Sequence, residues 1–328
     1  LCLLCLLVAP PLFAQDVIRA DLEVAAQREL AATSTGSGTL LLWNTNPWSL
    51  QKRIDLGQQR LFGFDFSADG RRLSLGTQDG RLLVIDIESG DTVFSVKDRD
   101  GSVSSTRFGP ANTLFAAGQG SVLSRYDLQS GALLASYDLG ADTEVEDFEV
   151  IAERGWLLIA RFDQQARLMD IESGKLLHTW QNDRRARDGQ RNVKGVEVAP
   201  DGNTGYFAGV GGSIIEIDLV SGERLRSLQT HPDFVSDLEQ SHDGRYLVAA
   251  DLDGTATLVD IESFTVVRRF TQQASFGSGR LLFAVAFLQD GKRLVTGGIR
   301  LPLIVWDQQT GARLQTISEL PSQAGSDH

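Results

Sequence analysis

Cysteine, methionine, histidine and tyrosine are all scarce in this 328-residue chain, which has two, one, four and four of them respectively. Cys2 and Cys5 are the only cysteines and lie at the very start. If that segment is removed, no disulfide, thiolate zinc site or cysteine nucleophile can form. A domain with a large core does not need disulfides, even outside the cell. The histidines, His178, His231, His242 and His328, show no pair at metal-ligand spacing. They read as turn or surface residues. Four tyrosines are too few to favour a carbohydrate-binding surface of clustered aromatics. Basic charge is also in deficit: the formal net charge is −12 and the pI about 4.8. Self-repulsion then opposes wrapping a nucleic-acid backbone, so no nucleic-acid partner is expected.

Long apolar runs are missing as well. The opening "LCLLCLLVAPPLFAQD" is uncharged over residues 1–12, short of the roughly 20 residues a spanning helix needs. With small Ala14 before Gln15 it reads as a signal peptide over residues 1–14, lacking its basic leader. Leu4 sits where a lipid-attachment signal at Cys5 wants a small residue. The expectation is an exported protein, periplasmic or secreted, with no transmembrane segment after cleavage. A single folded domain over residues 15–320 and a disordered tail over 321–328 complete the expected division.

What the chain does have is repetition. "LLVIDIESGDTVFSV" at Leu82 returns as "ARLMDIESGKLLHTW" at Ala166 and "IIEIDLVSGERLRSL" at Ile214. Seven copies carry a landmark at Asn44, Asp86, Asp127, Asp170, Asp218, Asp260 and Asp307, at intervals of 42, 41, 43, 48, 42 and 47 residues. Each period holds an apolar strand, a turn such as "SADG" or "SHDG", a second strand, a glycine turn, a third strand ending at the landmark, and a fourth strand after "SG" or "TG". Asp-Gly turns between apolar runs are strong hairpin signals. In "D-x-x-S-G" the Asp accepts from backbone N–H groups ahead of it, the Ser supports the turn, and the Gly takes a positive φ. The copies at Asn44 and at "DIESF", where Phe264 replaces Gly, should turn more loosely. Four antiparallel strands repeated seven times predict an all-β, seven-bladed β-propeller of four-stranded blades. A ring covers both apolar faces of every blade. No spare strand precedes the first copy, so closure should rest on face packing. The stretch from Ala20 has helix propensity, but it overlays the repeat and reads as strands.

"LPLIVWDQQTGARLQTI" and "THPDFVSDLEQSHDGRYLVAADLDGTATLVD" resemble the WD-repeat propellers, with His231 at the family's Gly-His position. The copies are degenerate, in the manner of bacterial exported propellers: Trp precedes the landmark only at Trp43 and Trp306. The family's internal Trp–Ser/Thr–His–Asp network therefore cannot form in most blades, which should rely on apolar packing. The resemblance implies a non-enzymatic scaffold for protein partners, with no cofactor. The alternative is a quinoprotein-like enzyme or redox protein of the cell envelope. That group shares "D-x-x-[ST]-G" but ends the next strand in Trp, as only Trp180 does here.

Catalytic motifs are absent. "DLDG" at Asp251 lacks the further carboxylates of a calcium loop and reads as a hairpin turn. "GVGGS" at Gly209 has no following helix or lysine, and there is no G-x-S-x-G. Two connections are long. "QNDRRARDGQRNVKG" is basic, and "TQQASFGSGR" carries an aromatic. Arg and aromatic residues supply interface hot spots. Arg184, Arg185, Arg187, Phe276 and Arg300 are therefore the candidate partner-binding residues, for a protein with an acidic patch. Arg161 and Phe162 lie on a turn of the same face.

Overall fold

The computed structural model describes residues 18–57, 59–140, 143–182, 192–273 and 281–317. They form seven four-stranded antiparallel sheets and no helix. The blades occupy residues 18–55, 61–97, 103–138, 145–181, 193–229, 237–271 and 281–317. Within each, the strands pair in chain order. The first blade is all strand: Ile18–Val24, Leu30–Thr35, Thr39–Thr45 and Trp48–Asp55.

Hydrophobic patterning assigns each strand its place. In the second blade, Arg72–Thr77 and Arg81–Asp86 are buried almost throughout, while Thr92–Lys97 is mostly exposed. The inner strands have a neighbouring blade on both faces, so they are continuously apolar. The fourth strand is the outer edge and tolerates charge.

Seven apolar clusters fill the seven gaps between blades. One joins the ends of the chain: Leu41, Trp43 and Trp48 of the first blade pack with Val295, Leu303 and Val305 of the seventh. The two sheets share no strand. The ring closes by packing, in which burial of apolar surface supplies the attraction, with Arg293 of the seventh blade donating to Thr45 O of the first at 3.2 Å.

The repeated turns have the expected chemistry. Asp127 Oδ1 accepts from Ser130 N at 2.7 Å and Ser130 Oγ at 2.6 Å, and Gly131 takes φ +73°. The two irregular copies are not loose. Phe264 adopts φ +51°, yet Asp260 still accepts from Ser263 N at 2.9 Å. Its ring is buried under the Arg226 guanidinium, 4.5 Å from the centroid, which offsets backbone strain. At the other, Thr45 pairs with Trp48, leaving only Asn46 and Pro47 in the turn.

The polar anchoring of blades is broader than two tryptophans suggest. Trp43 Nε1 donates to Thr33 Oγ1 at 2.9 Å. Trp306 Nε1 donates to Thr296 Oγ1 at 2.8 Å, and that hydroxyl donates to Gln272 Oε1, also 2.8 Å. Gln272 lies in the connection entering the seventh blade, so it stands in for the family's histidine. In other blades Asn182 donates to Val210 O at 2.6 Å, and Tyr126 to Asp98 at 2.7 Å. Trp180 packs as an inter-blade tie, donating to Gly222 O at 2.8 Å.

Candidate functional site

The first strand of every blade lines the central channel, and residues close to its C-terminal end stand near one mouth. This is the face carrying the turns between first and second strands. There Glu23, Asp65, Arg107, Glu149, Glu197 and Glu239 line a cavity of about 260 Å³, rimmed by Pro200, Ser241 and His242. One charged residue comes from each of six blades. The seventh supplies Ala286, paired with Val295 as Glu239 is with Val248.

Five carboxylates surround one cation. Arg107 Nε donates to Glu149 Oε1 at 2.8 Å, and an Nη donates to Asp147 Oδ1 at 3.0 Å. Backbone donors from adjacent blades serve two more: Phe108 N to Asp65 Oδ2 at 2.6 Å, and Val285 N to Asp237 Oδ2 at 2.9 Å. Close approach of strands makes this possible. A Cβ on Gly63, at φ +55°, would lie 2.4 Å from Ser104 O of the next blade.

The carboxylates of Glu23, Glu197 and Glu239 make no hydrogen bond or ion pair among the described residues. Burial in the channel, then repulsion from Glu239 and Asp65, holds Glu23 well above the usual carboxylate range. Burial and Glu239 do the same to Glu197, and burial and Asp237 to Glu239. Burial pushes Asp65 up to about 7 against the pull of Arg107 and Phe108 N. Burial likewise lifts Asp237 to about 7 against the bond from Val285 N. Burial opposes the Arg107 charge, but Glu149, Asp147, Asp65 and Glu23 outweigh it and raise its pKa. Gln240, 9% exposed, lines the same cavity, and its Nε2 has no hydrogen-bond partner. An unmet buried donor beside carboxylates that lack hydrogen bonds is costly.

The sequence-based candidates fall elsewhere. Arg184, Arg185, Arg187 and Phe276 lie outside the described residues. Arg300 is exposed on the turn between Arg293–Ile299 and Leu301–Asp307, on the face opposite the acidic mouth. Arg161 is not a surface residue. It is fully buried and donates to Leu139 O at 2.5 Å, Gly140 O at 2.8 Å and Thr143 Oγ1, tying a connection down. Lys194, from the basic connection, is paired with Glu146. His231 is buried rather than a surface residue, and burial lowers its pKa to about 4.

The acidic column was present in the sequence without being recognised. Glu23, Asp65, Glu149, Glu197 and Glu239 each stand 21 residues before a landmark, and Arg107 stands 20 before. A charge repeating at a fixed register of an apolar strand is the readable sign.

Seven sequentially paired four-stranded blades around a channel define a repeat β-propeller. Residues 222–260, spanning most of the sixth blade, match the family model described as "WD domain, G-beta repeat". The chain is also similar to an uncharacterized WD repeat-containing protein of Schizosaccharomyces pombe, 26% identical over 183 residues. That match covers 52% of this chain and 44% of the relative, so it spans less than half the relative's length. The chain thus has a seven-bladed propeller fold and is similar to the WD-repeat proteins over these stretches.

Proposed function

We propose that the protein is a non-enzymatic binding scaffold whose acidic channel mouth receives a basic segment of a protein partner. The observation carrying this reading is that Glu23, Glu197 and Glu239 face the cavity, share the single cation Arg107 with other carboxylates, and have no salt bridge of their own among the described residues. A lysine or arginine side chain entering there would relieve their repulsion, and a backbone carbonyl beside it would meet the free Nε2 of Gln240. A packed ring holds these groups in place, so little ordering entropy is lost on binding. This reading puts the partner's complementary charge at basic, not acidic, for this face. The family is consistent with a protein-binding scaffold.

The test is fluorescence anisotropy with a labelled Lys/Arg-rich peptide and an acidic control of equal length. The basic peptide should bind and weaken as salt rises. The combined substitution Glu23→Gln, Glu197→Gln, Glu239→Gln should weaken it by about tenfold or more, as loss of ~1.4 kcal/mol implies. Equal binding by the substituted protein would reject the channel. Binding of the acidic peptide instead, lost on substituting Arg184, Arg185 and Arg187, would move the site to the basic connection that carries them. A quinone-type absorbance band in the purified protein would overturn the non-enzymatic reading. We also propose export to the periplasm or medium, supported by the uncharged run over residues 1–12 and Ala14. Cell fractionation that finds the full chain only in the cytoplasm would reject it.

A further inference from the structure

The fold brings together three side chains that lie apart in the sequence. His231 sits in the connection entering the sixth blade. Asp251 and Asp253 sit in the tight turn between that blade's second and third strands, Tyr246–Ala250 and Thr255–Asp260. One ligand atom from each lies within 4.8 Å of the others. From these positions we propose that His231, Asp251 and Asp253 bind a divalent cation of the zinc class.

The imidazole is the first argument. His231 is 2% exposed, and its Nε2 stands 3.2 Å from Ala249 O. A carbonyl can only accept, so Nε2 carries the hydrogen and Nδ1 is turned toward the carboxylates. A ligating histidine is commonly fixed in this way, with its other N–H donated to a backbone carbonyl. The separation of Nδ1 from Asp251 Oδ2 is 3.5 Å. That is too long for a charge-assisted N–H···O bond, which spans about 2.7–2.9 Å. It is close to the edge of a zinc tetrahedron, since metal–ligand bonds of about 2.0–2.1 Å place neighbouring ligands roughly 3.3 Å apart.

The carboxylates are oriented as well. Asp251 Oδ1 accepts from Asp253 N at 3.1 Å, and Asp253 Oδ1 accepts from Thr255 N at 2.8 Å. Each Asp has one oxygen held by the turn and another available to a cation. Asp233 adds negative charge near Asp251, and Arg269 is the basic group beside His231. An imidazole among the ligands favours zinc and its neighbours over calcium or magnesium, which take oxygen.

A reason for a cation at this blade follows from its composition. The sixth blade keeps the histidine but has Ala249 on its second strand and Val259 before its landmark. It therefore lacks the hydroxyl and indole that complete the chain of bonds in the seventh blade. A cation would pin the incoming connection to the turn in their place.

The experiment uses the full chain, stripped with a chelator and titrated with zinc chloride by calorimetry, with cobalt(II) absorbance as a second readout. One equivalent should bind, and cobalt should give a ligand-field band in the visible. Asp253→Asn, at an exposed position that should not disturb folding, should weaken zinc by at least about tenfold, comparable to losses at supporting residues of metal sites. His231→Gln should abolish the band. Glu197→Gln, in the channel, should change neither. Zinc binding that survives both Asp253→Asn and His231→Gln would overturn the assignment. So would binding lost only with Glu197→Gln, or no binding at all.

Discussion

Replacing Asp65 by Asn should stabilise the protein at pH 8 and leave it nearly unchanged at pH 4. Asp65 Oδ2 accepts from Phe108 N at 2.6 Å, and an asparagine oxygen can accept the same bond. The substitution thus removes the charge and keeps the contact. Burial lifts this carboxyl from 3.8 to about 7. A carboxyl that holds its proton more tightly when folded favours folding fully below its unfolded value. That advantage is lost as pH rises through the folded value, here between about 4 and 7. At about 1.4 kcal/mol per pKa step the ceiling is ~4 kcal/mol. Asp65 is only half-buried and faces water in the channel, so screening reduces this to about 1–3 kcal/mol. For a chain of this size that is a rise in Tm of roughly 2–5 °C. Thermal denaturation of both proteins at pH 4, 6 and 8 measures it. A variant that is neutral or less stable at pH 8, or equally improved at pH 4 and 8, would refute the reasoning.

The basic-peptide and zinc titrations given above are two further predictions, and two others concern the ring. Trp43→Ala removes a buried indole from the cluster joining the first and seventh blades; it should cost about 3–5 kcal/mol in urea unfolding. A loss of under 1 kcal/mol would mean that this seam does not hold the ring. Thr296→Val leaves Trp306 Nε1 without its acceptor and Gln272 Oε1 without its donor, costing about 1–3 kcal/mol. An unchanged urea midpoint would show that the bonds add nothing beyond packing.

The site was less legible than the fold. Blade number, strand order and the Asp-Ser-Gly turns are local, written within about ten residues of one another. The acidic ring is a column read across repeats, one residue per period, and each member alone resembles an ordinary surface charge. Arg161 misled because a residue at the end of a strand reads as exposed. Its burial depends on where the preceding connection runs. His231 and Asp251 are twenty residues apart and show no ligand spacing, since the fold rather than the chain makes them neighbours.

The sequence by itself determined the seven sheets, their internal order and the need for a closed ring, because hydrogen-bonding register and apolar periodicity are short-range properties. Only the tertiary structure decided which charges meet at the axis and which mouth they occupy. Those outcomes depend on distances between separate blades, which are fixed only when all seven clusters have packed at once.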